Sequence, residues 1–151
     1  MIEKVRDIKS DELNQLLQLN KHLNPDDTEF TIDERVKAIW NEILENPNHF
    51  CLGIEEDGMI VASCILVIIK NLTRNARPFA LIENVVTHEQ YRKKGYATAV
   101  LKRAIEIAKE KNCNKIMLMT SRKDESTLKF YEKVGFHRGE KTAFLIRLEG
   151  V

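Results

Sequence analysis

Residues 81–108 read LIENVVTHEQYRKKGYATAVLKRAIEIA, and this stretch decides the fold. Its first part is an apolar, β-branched run of strand type. From Ala97 onward, Val100, Leu101, Ala104, Ile105 and Ala108 recur at helical spacing, which predicts a long amphipathic helix. Lys102, Arg103, Glu106, Lys109 and Glu110 fall on its other face as a solvated surface. Between strand and helix lies a basic turn, Tyr91-Arg92-Lys93-Lys94-Gly95-Tyr96-Ala97. The first amides of a helix lack an intrahelical partner and the helix dipole favours negative charge there, so such a turn suits a phosphate. Gly95 permits a tight bend and a close approach to the backbone. The turn is not a dinucleotide fingerprint, since position 93 is Lys, and it lacks the Gly-Lys-Ser/Thr of a Walker loop. Alone, it reads equally as a phosphate site and as a merely soluble basic turn.

The rest of the chain supplies a frame for this unit. Residues 2–8 are expected as a first strand, and Ser10-Asp11 as the start of a helix with Leu13, Leu16, Leu17 and Leu23 on its apolar stripe. Thr31-Ile32-Asp33-Glu34 fits a capping box led by Thr31, ahead of Val36, Ile39, Trp40, Ile43 and Leu44 at helical spacing. Strands at 50–55 and 59–69 are joined by Glu56-Asp57-Gly58, a hairpin signal. Residues 70–78 read as a loop, 79–87 as a strand, 115–120 as a strand and 125–134 as a helix closed by Gly135. Residues 142–148 are expected as the last strand. Helices that fall singly or in pairs between strands predict an α/β fold, a mixed sheet with helices on both faces.

Composition narrows the classes. A chain of 151 residues fits a single domain, 1–151, and its 43% apolar and 31% charged content is ordinary for a globular protein. A net charge of +1 calls for neither nucleic acid nor a membrane surface. Cys51, Cys64 and Cys113 have no metal-like spacing, and the first two read as small buried hydrophobes. His22, His49, His88 and His137 form no ligand pattern, so no metal is expected, and His88 reads as a surface residue. The opening MIEKVRDIKSDEL has no h-region and the run at 60–69 is too short to span a bilayer, so a cytoplasmic location is expected.

A second constellation stands about thirty residues beyond the turn. It runs Asp124-Glu-Ser-Thr-Leu-Lys-Phe-Tyr-Glu-Lys-Val-Gly-Phe136, with Leu128, Tyr131 and Val134 on one helix face. By itself Tyr131 reads as a core tyrosine or as a proton donor. In this order and spacing, Arg92-x-x-Gly95-x-Ala97 and Leu128-x-Phe-Tyr-Glu-Lys-x-Gly-Phe136 resemble the two motifs of the GNAT superfamily of N-acetyltransferases. The resemblance covers residues 79–148; the first half fits in element order only.

The resemblance implies a mixed, mostly antiparallel central sheet of about six to seven strands. It implies acetyl-CoA as cosubstrate, with the amides of Lys93, Lys94, Gly95, Tyr96, Ala97 and Thr98 on its pyrophosphate and Arg92, Lys93 and Lys94 adding charge-assisted contacts. The strand end Val85, Val86 and Thr87 would pair with the pantetheine arm, with a bulge or splay to admit it. Direct attack of an amine on the thioester would then use Tyr131 as acid to the leaving thiolate and the Val86 amide as oxyanion donor. Glu83, or water, would take the amine proton, because 116–119 carry no acid. Asp124 stands where the family often has an Asn that touches the coenzyme.

The expected acceptor is the primary amine of a small molecule: an amino sugar, an amino acid or a polyamine-like compound. The runs 83–86, 112–116 and 130–135 look somewhat like the glucosamine-phosphate acetyltransferases. A protein N-terminus or lysine is the enzymatic alternative, and an acetyl-CoA sensor the non-enzymatic one. Acceptor recognition would fall to 23–33, acidic through Asp26, Asp27, Glu29 and Asp33, and to 70–78, basic through Lys70, Arg74 and Arg77. Homodimers are common in the family, and 142–148 offers an edge for pairing.

Overall fold

The computed structural model describes residues 1–27 and 31–149, so Glu29 of the acidic stretch lies outside the described residues. It divides into two compact units, Met1–Leu118 and Met119–Val151.

The first unit is built on a five-stranded sheet. Its strands are β1 (Arg6–Asp7), β2 (His49–Glu56), β3 (Met59–Ile69), β4 (Phe79–Thr87) and β5 (Ile116–Leu118), adjacent in chain order. The first four pair antiparallel and β5 runs parallel to β4. Its longer helices are α1 (Leu13–Asn20), α2 (Glu34–Glu45) and α3 (Tyr96–Glu110), and Thr73–Ala76 forms a single turn, left-handed at Arg74 and Asn75, within the stretch expected as a loop. The β2–β3 hairpin turns on Asp57 and Gly58, both left-handed at φ 53 and 76, as its Asp-Gly signal predicts.

Each sheet face buries one alternating set of residues. Cys51, Ile60 and Val86, with Ile65, pack against Ile8, Leu16, Leu19 and Trp40 from the α1 and α2 side. Trp40 is fixed further by its indole N–H, which donates to the Ser10 carbonyl at 3.0 Å. The other set, including Leu52, Ile54, Ala62, Cys64, Leu66, Ala80 and Ile82, is buried where α3 lies across β2, β3 and β4 with Val100, Leu101 and Ala104. Burial pushes the Cys51 and Cys64 thiols up to about 11 and about 12, which fits their reading as inert small hydrophobes.

Among the described residues the strand count of five corrects the expected six to seven. Residues 2–8 yield only Arg6–Asp7, because Ile2–Lys4 winds into a 3-10 turn and leaves two residues to pair with Leu52 and Gly53. Residues 115–120 shorten to Ile116–Leu118. Residues 142–148 form no strand: extended, β-branched composition makes a ladder only where a partner edge meets it, and here Phe144 and Ile146 stay 92% and 83% exposed. The cap of α2 is Asp33, not Thr31. The Asp33 carboxylate accepts from the Val36 amide at 2.9 Å, and its charge adds to the capping bond at a helix N-terminus.

A part-buried ion pair braces the short first strand. Arg6 makes two 2.8 Å bonds to the Glu12 carboxylate, which also accepts from the Lys9 amide at 2.7 Å. The Arg6 guanidinium holds Glu12 well below its ordinary 4.5, at about 2. Its stabilisation is therefore complete above pH 4.5 and disappears as the pH falls towards 2. Glu12→Gln is expected to cost roughly 2–3 kcal/mol at neutral pH and nothing near the bottom of that window, read from urea unfolding at several pH values. A penalty independent of pH would contradict the assignment.

The second unit contains α4 (Glu125–Val134). Asp124 caps it through the Thr127 amide at 3.0 Å, and Gly135, at φ 127, ends it as the sequence predicts.

Candidate functional site

The site begins with an irregularity in β4. Ile65 faces Glu83 and Ser63 faces Val86, so β4 holds one more residue than β3 across this interval. That is the expected bulge, and Asn84 sits in it at φ 52, a left-handed conformation that Asn tolerates better than most residues. The bulge reverses the phase of the strand. Ala80 donates outward to Lys115 at 3.0 Å, whereas His88 donates to Val61 of β3 at 2.8 Å. Amides alternate between the two edges of a strand, so beyond the bulge Val85 and Thr87 face outward and Val86 turns towards β3.

The ladder between β4 and β5 ends at Ile82 and Leu118, although β4 continues to Thr87. Residues 83–87 therefore have no strand partner on that side among the described residues. Glu83 lies opposite Ile65, whose side chain packs on the α1 and α2 side, so the Glu83 carboxylate is on that face and exposed.

The basic turn follows directly. Lys93 and Gly95 are both left-handed, at φ 61 and 90, and Gly95 is the N-cap of α3. The first helical bond runs from the Ala99 amide to the Gly95 carbonyl at 3.0 Å, so the amides of Tyr96, Ala97 and Thr98 precede it. No side chain caps them and the first turn carries no acid. The contrast with α2 and α4 is chemical: each of those begins on an Asp cap followed by a Glu, carboxylates that neutralise the helix end. The α3 end is left positive, with Arg92, Lys93 and Lys94 exposed before it.

Two tyrosines fasten the turn to the β2–β3 hairpin, a feature the sequence reading missed. The Tyr91 hydroxyl donates to the Asp57 carboxylate at 2.7 Å and the Tyr96 hydroxyl to Glu56 at 3.2 Å. The rings meet edge to face at 5.9 Å, and Lys94 lies over Tyr91 at 5.4 Å. The bond to Asp57 pushes the Tyr91 phenol up; burial, then the bond to Glu56, does so for Tyr96. The Tyr96 side chain is thus engaged with the hairpin, and its amide is the group left for a ligand. Partners 34 and 40 residues away leave no local signal. Tyr91→Phe is expected to weaken coenzyme binding several-fold through a looser turn, with unfolding little changed. Calorimetric titration with CoA checks it, and unchanged affinity would show that the anchor does not shape the site.

His88 is not a simple surface residue. Its ring lies 4.3 Å from that of His22, and its Nδ1 accepts the Gln90 amide at 3.2 Å. Burial, and then the neighbouring His88, pushes the His22 imidazole below its ordinary value. Arg77 is also committed elsewhere, donating to the Asn112 and Cys113 carbonyls at 3.1 and 2.9 Å beyond the end of α3.

In the second unit, the Asp124 carboxylate accepts from the Thr127 amide and hydroxyl and from Arg122 at 2.9 Å. These bonds, Thr127 first, hold it down at about 2. Tyr131 is half-buried, with its ring 5.0 Å from Phe130 and 6.3 Å from Phe136.

A profile described as the Acetyltransferase (GNAT) family matches residues 13–136. The chain belongs to the GNAT family. A solved candidate acetyltransferase of Agrobacterium tumefaciens str. C58 is 43% identical to this GNAT chain, with 95% of this chain and 98% of that one superposed at a TM-score of 0.89. Among curated proteins, a glucosamine 6-phosphate N-acetyltransferase of Trypanosoma brucei brucei is 39% identical over 84 residues, 56% of this chain and 55% of its own length. The N-alpha-acetyltransferase 30 of Xenopus laevis is 33% identical over 95 residues, 62% of this chain and 34% of its own. The matched stretches thus span about half or less of these two relatives. Within the described residues, no helix is long and apolar enough to cross a membrane, and no group of three His, Cys, Asp or Glu side chains could hold a metal.

Proposed function

We propose that residues 1–151 act as one cytoplasmic N-acetyltransferase domain that uses acetyl-CoA to acetylate the primary amine of a small molecule. One observation carries the reading: a helix N-terminus with a glycine cap and no carboxylate, beside a β4 edge left open past a bulge. The two suit the two halves of the coenzyme, an anion and an amide-bearing arm. Acetyl-CoA supplies the activated acetyl group as a thioester. The amides of residues 93–98 bind its pyrophosphate, and Arg92, Lys93 and Lys94 neutralise phosphate charge. The outward carbonyl of Val85 and amide of Thr87 hydrogen-bond the pantetheine arm, with Val86 fixing the strand from the core side.

The strand phase favours the Val85 amide over that of Val86 as oxyanion donor, because the Val85 amide faces outward. Glu83, on the α1 and α2 face, accepts the ammonium proton directly or through water, and Tyr131 donates one to the departing thiolate. Asp124 keeps α4 in place for Tyr131, a role its capping bonds already define, and any coenzyme contact would be made around that cap.

The acceptor favoured is a phosphorylated amino sugar of the glucosamine 6-phosphate type, supported by the 39% identity to an enzyme of that name. A protein N-terminus is the second reading, supported by the 33% identity to an N-alpha-acetyltransferase. Thiol release from acetyl-CoA over glucosamine 6-phosphate, amino acids, polyamines and N-terminal peptides separates them. The amino sugar phosphate is expected to show the highest kcat/KM by at least about tenfold. A peptide turned over best supports the second reading. Tight coenzyme binding with no turnover on any amine would make the chain a sensor.

A further inference from the structure

A cavity of about 240 Å³ opens between the end of α2 and strands β1 and β2. Ile43, Leu44 and Phe50 give it apolar walls, and Asp7 and His49 bring the ionisable groups. Every lining residue lies within 7–51 of the first unit, and none has a part in coenzyme binding or in the acid–base steps above. Strand β3 stands between the cavity and β4. Its rim has a set shape. The Asn46 side chain accepts the Asn48 amide at 2.9 Å, and the Asn46 carbonyl accepts the His49 amide at 3.1 Å, which pins the turn out of α2. A preformed cavity spares a guest the cost of ordering its walls.

The charge in the cavity is one-sided. Arg6, the neighbouring cation, is bonded to Glu12, to Glu55 and to the Asp7 carbonyl, and no ion pair to the Asp7 carboxylate forms among the described residues. Burial pushes the half-buried His49 imidazole below its ordinary value, so it is the uncharged ring at neutral pH. Its Nε2 is buried with no hydrogen-bond partner among the described residues. A buried polar atom left unpaired is costly, and a donor in the cavity relieves it once the ring turns towards the guest.

One free carboxylate, one uncharged acceptor and apolar walls select a monocation with a hydrophobic body. Size narrows the guest further. An apolar cavity of about 150 Å³ admits benzene, so this one has room for a single ring with a short ammonium arm. We infer that the cavity is a binding site for a small alkyl- or arylalkylammonium ion. The ammonium pairs with the Asp7 carboxylate and donates a further N–H to His49 Nε2, while the carbon skeleton lies against Ile43, Leu44 and Phe50. The site is separate from the proposed coenzyme position and is tested without acetyl transfer.

2-Phenylethylamine titrated into the ¹⁵N-labelled full chain, without acetyl-CoA, is expected to shift the amides of residues 7–8, 43–46 and 48–51 saturably. The expected dissociation constant is about 0.1–1 mM. On the same natural chain, 2-phenylethanol keeps the size without the charge and is expected to bind at least about tenfold more weakly, with phenylacetate weaker still. Asp7→Asn is expected to raise the constant for the amine at least about tenfold. Leu44→Trp, which fills the mouth from an exposed helix position, is expected to remove the shifts. No saturable shift up to about 20 mM amine, equal affinity for the alcohol, shifts confined to residues 81–98, or an unchanged constant in Asp7→Asn would overturn the inference.

Discussion

The Tyr131→Phe chain is expected to turn over about 10²-fold or more slowly, with coenzyme affinity within about threefold of the natural chain. The substitution removes one oxygen and leaves the ring to pack at 5.0 Å from Phe130 and 6.3 Å from Phe136, so α4 keeps its apolar face. The two readings of Tyr131 therefore separate in kinetics. A donor to the thiolate acts only as the carbon–sulfur bond breaks, so its loss falls on kcat. A core tyrosine would register in thermal unfolding and leave kcat in place. A better leaving group discriminates further: thioesters whose thiols have lower pKa values need less protonation, and the defect should shrink with them. Equal turnover in Tyr131→Phe would remove this residue from the mechanism.

Gly95→Val is expected to weaken CoA binding by about 10²-fold. The position sits at φ 90, where a β-branched residue is strained, so the backbone must turn away from the geometry that presents the Tyr96, Ala97 and Thr98 amides. Crowding is not the cause: among the described residues away from the turn itself, the nearest atom to an added Cβ is Met1 Cε at 4.0 Å. Gly95→Ala should accordingly fall between the natural chain and Gly95→Val. Calorimetric titration with CoA reads the series, and circular dichroism confirms that α3 persists. Affinity unchanged in Gly95→Val would sink the pyrophosphate assignment.

Local rules made the centre of the molecule legible. The helical spacing of Val100, Leu101 and Ala104 matches their burial in α3, and Asp57-Gly58 makes the hairpin it announces. A bulge or splay was expected from the family resemblance, and β4 carries the bulge. What the sequence hid depends on partners far along the chain. Tyr91 and Tyr96 read as turn residues, and nothing near them points to Asp57 and Glu56. His22 and His88 are separate in sequence, yet their rings lie 4.3 Å apart, tilted at 44°. Residues 142–148 have every local attribute of a strand, but a strand is a pairing, and propensity cannot name the partner. The cap of α2 misled for a smaller reason: Thr31 and Asp33 both suit an N-cap, and a carboxylate next to Glu34 wins the helix start.

The central claim, that coenzyme A lies across the bulged β4 edge and the α3 N-terminus, has a direct test in backbone amide NMR. Titrating CoA into the ¹⁵N-labelled chain should shift the amides of residues 96–98 most, together with Val85 and Thr87 on the open edge. The Val86 amide, turned towards β3, should move least of the three strand residues. Binding that leaves residues 96–98 and the Val85 and Thr87 amides in place would contradict the account.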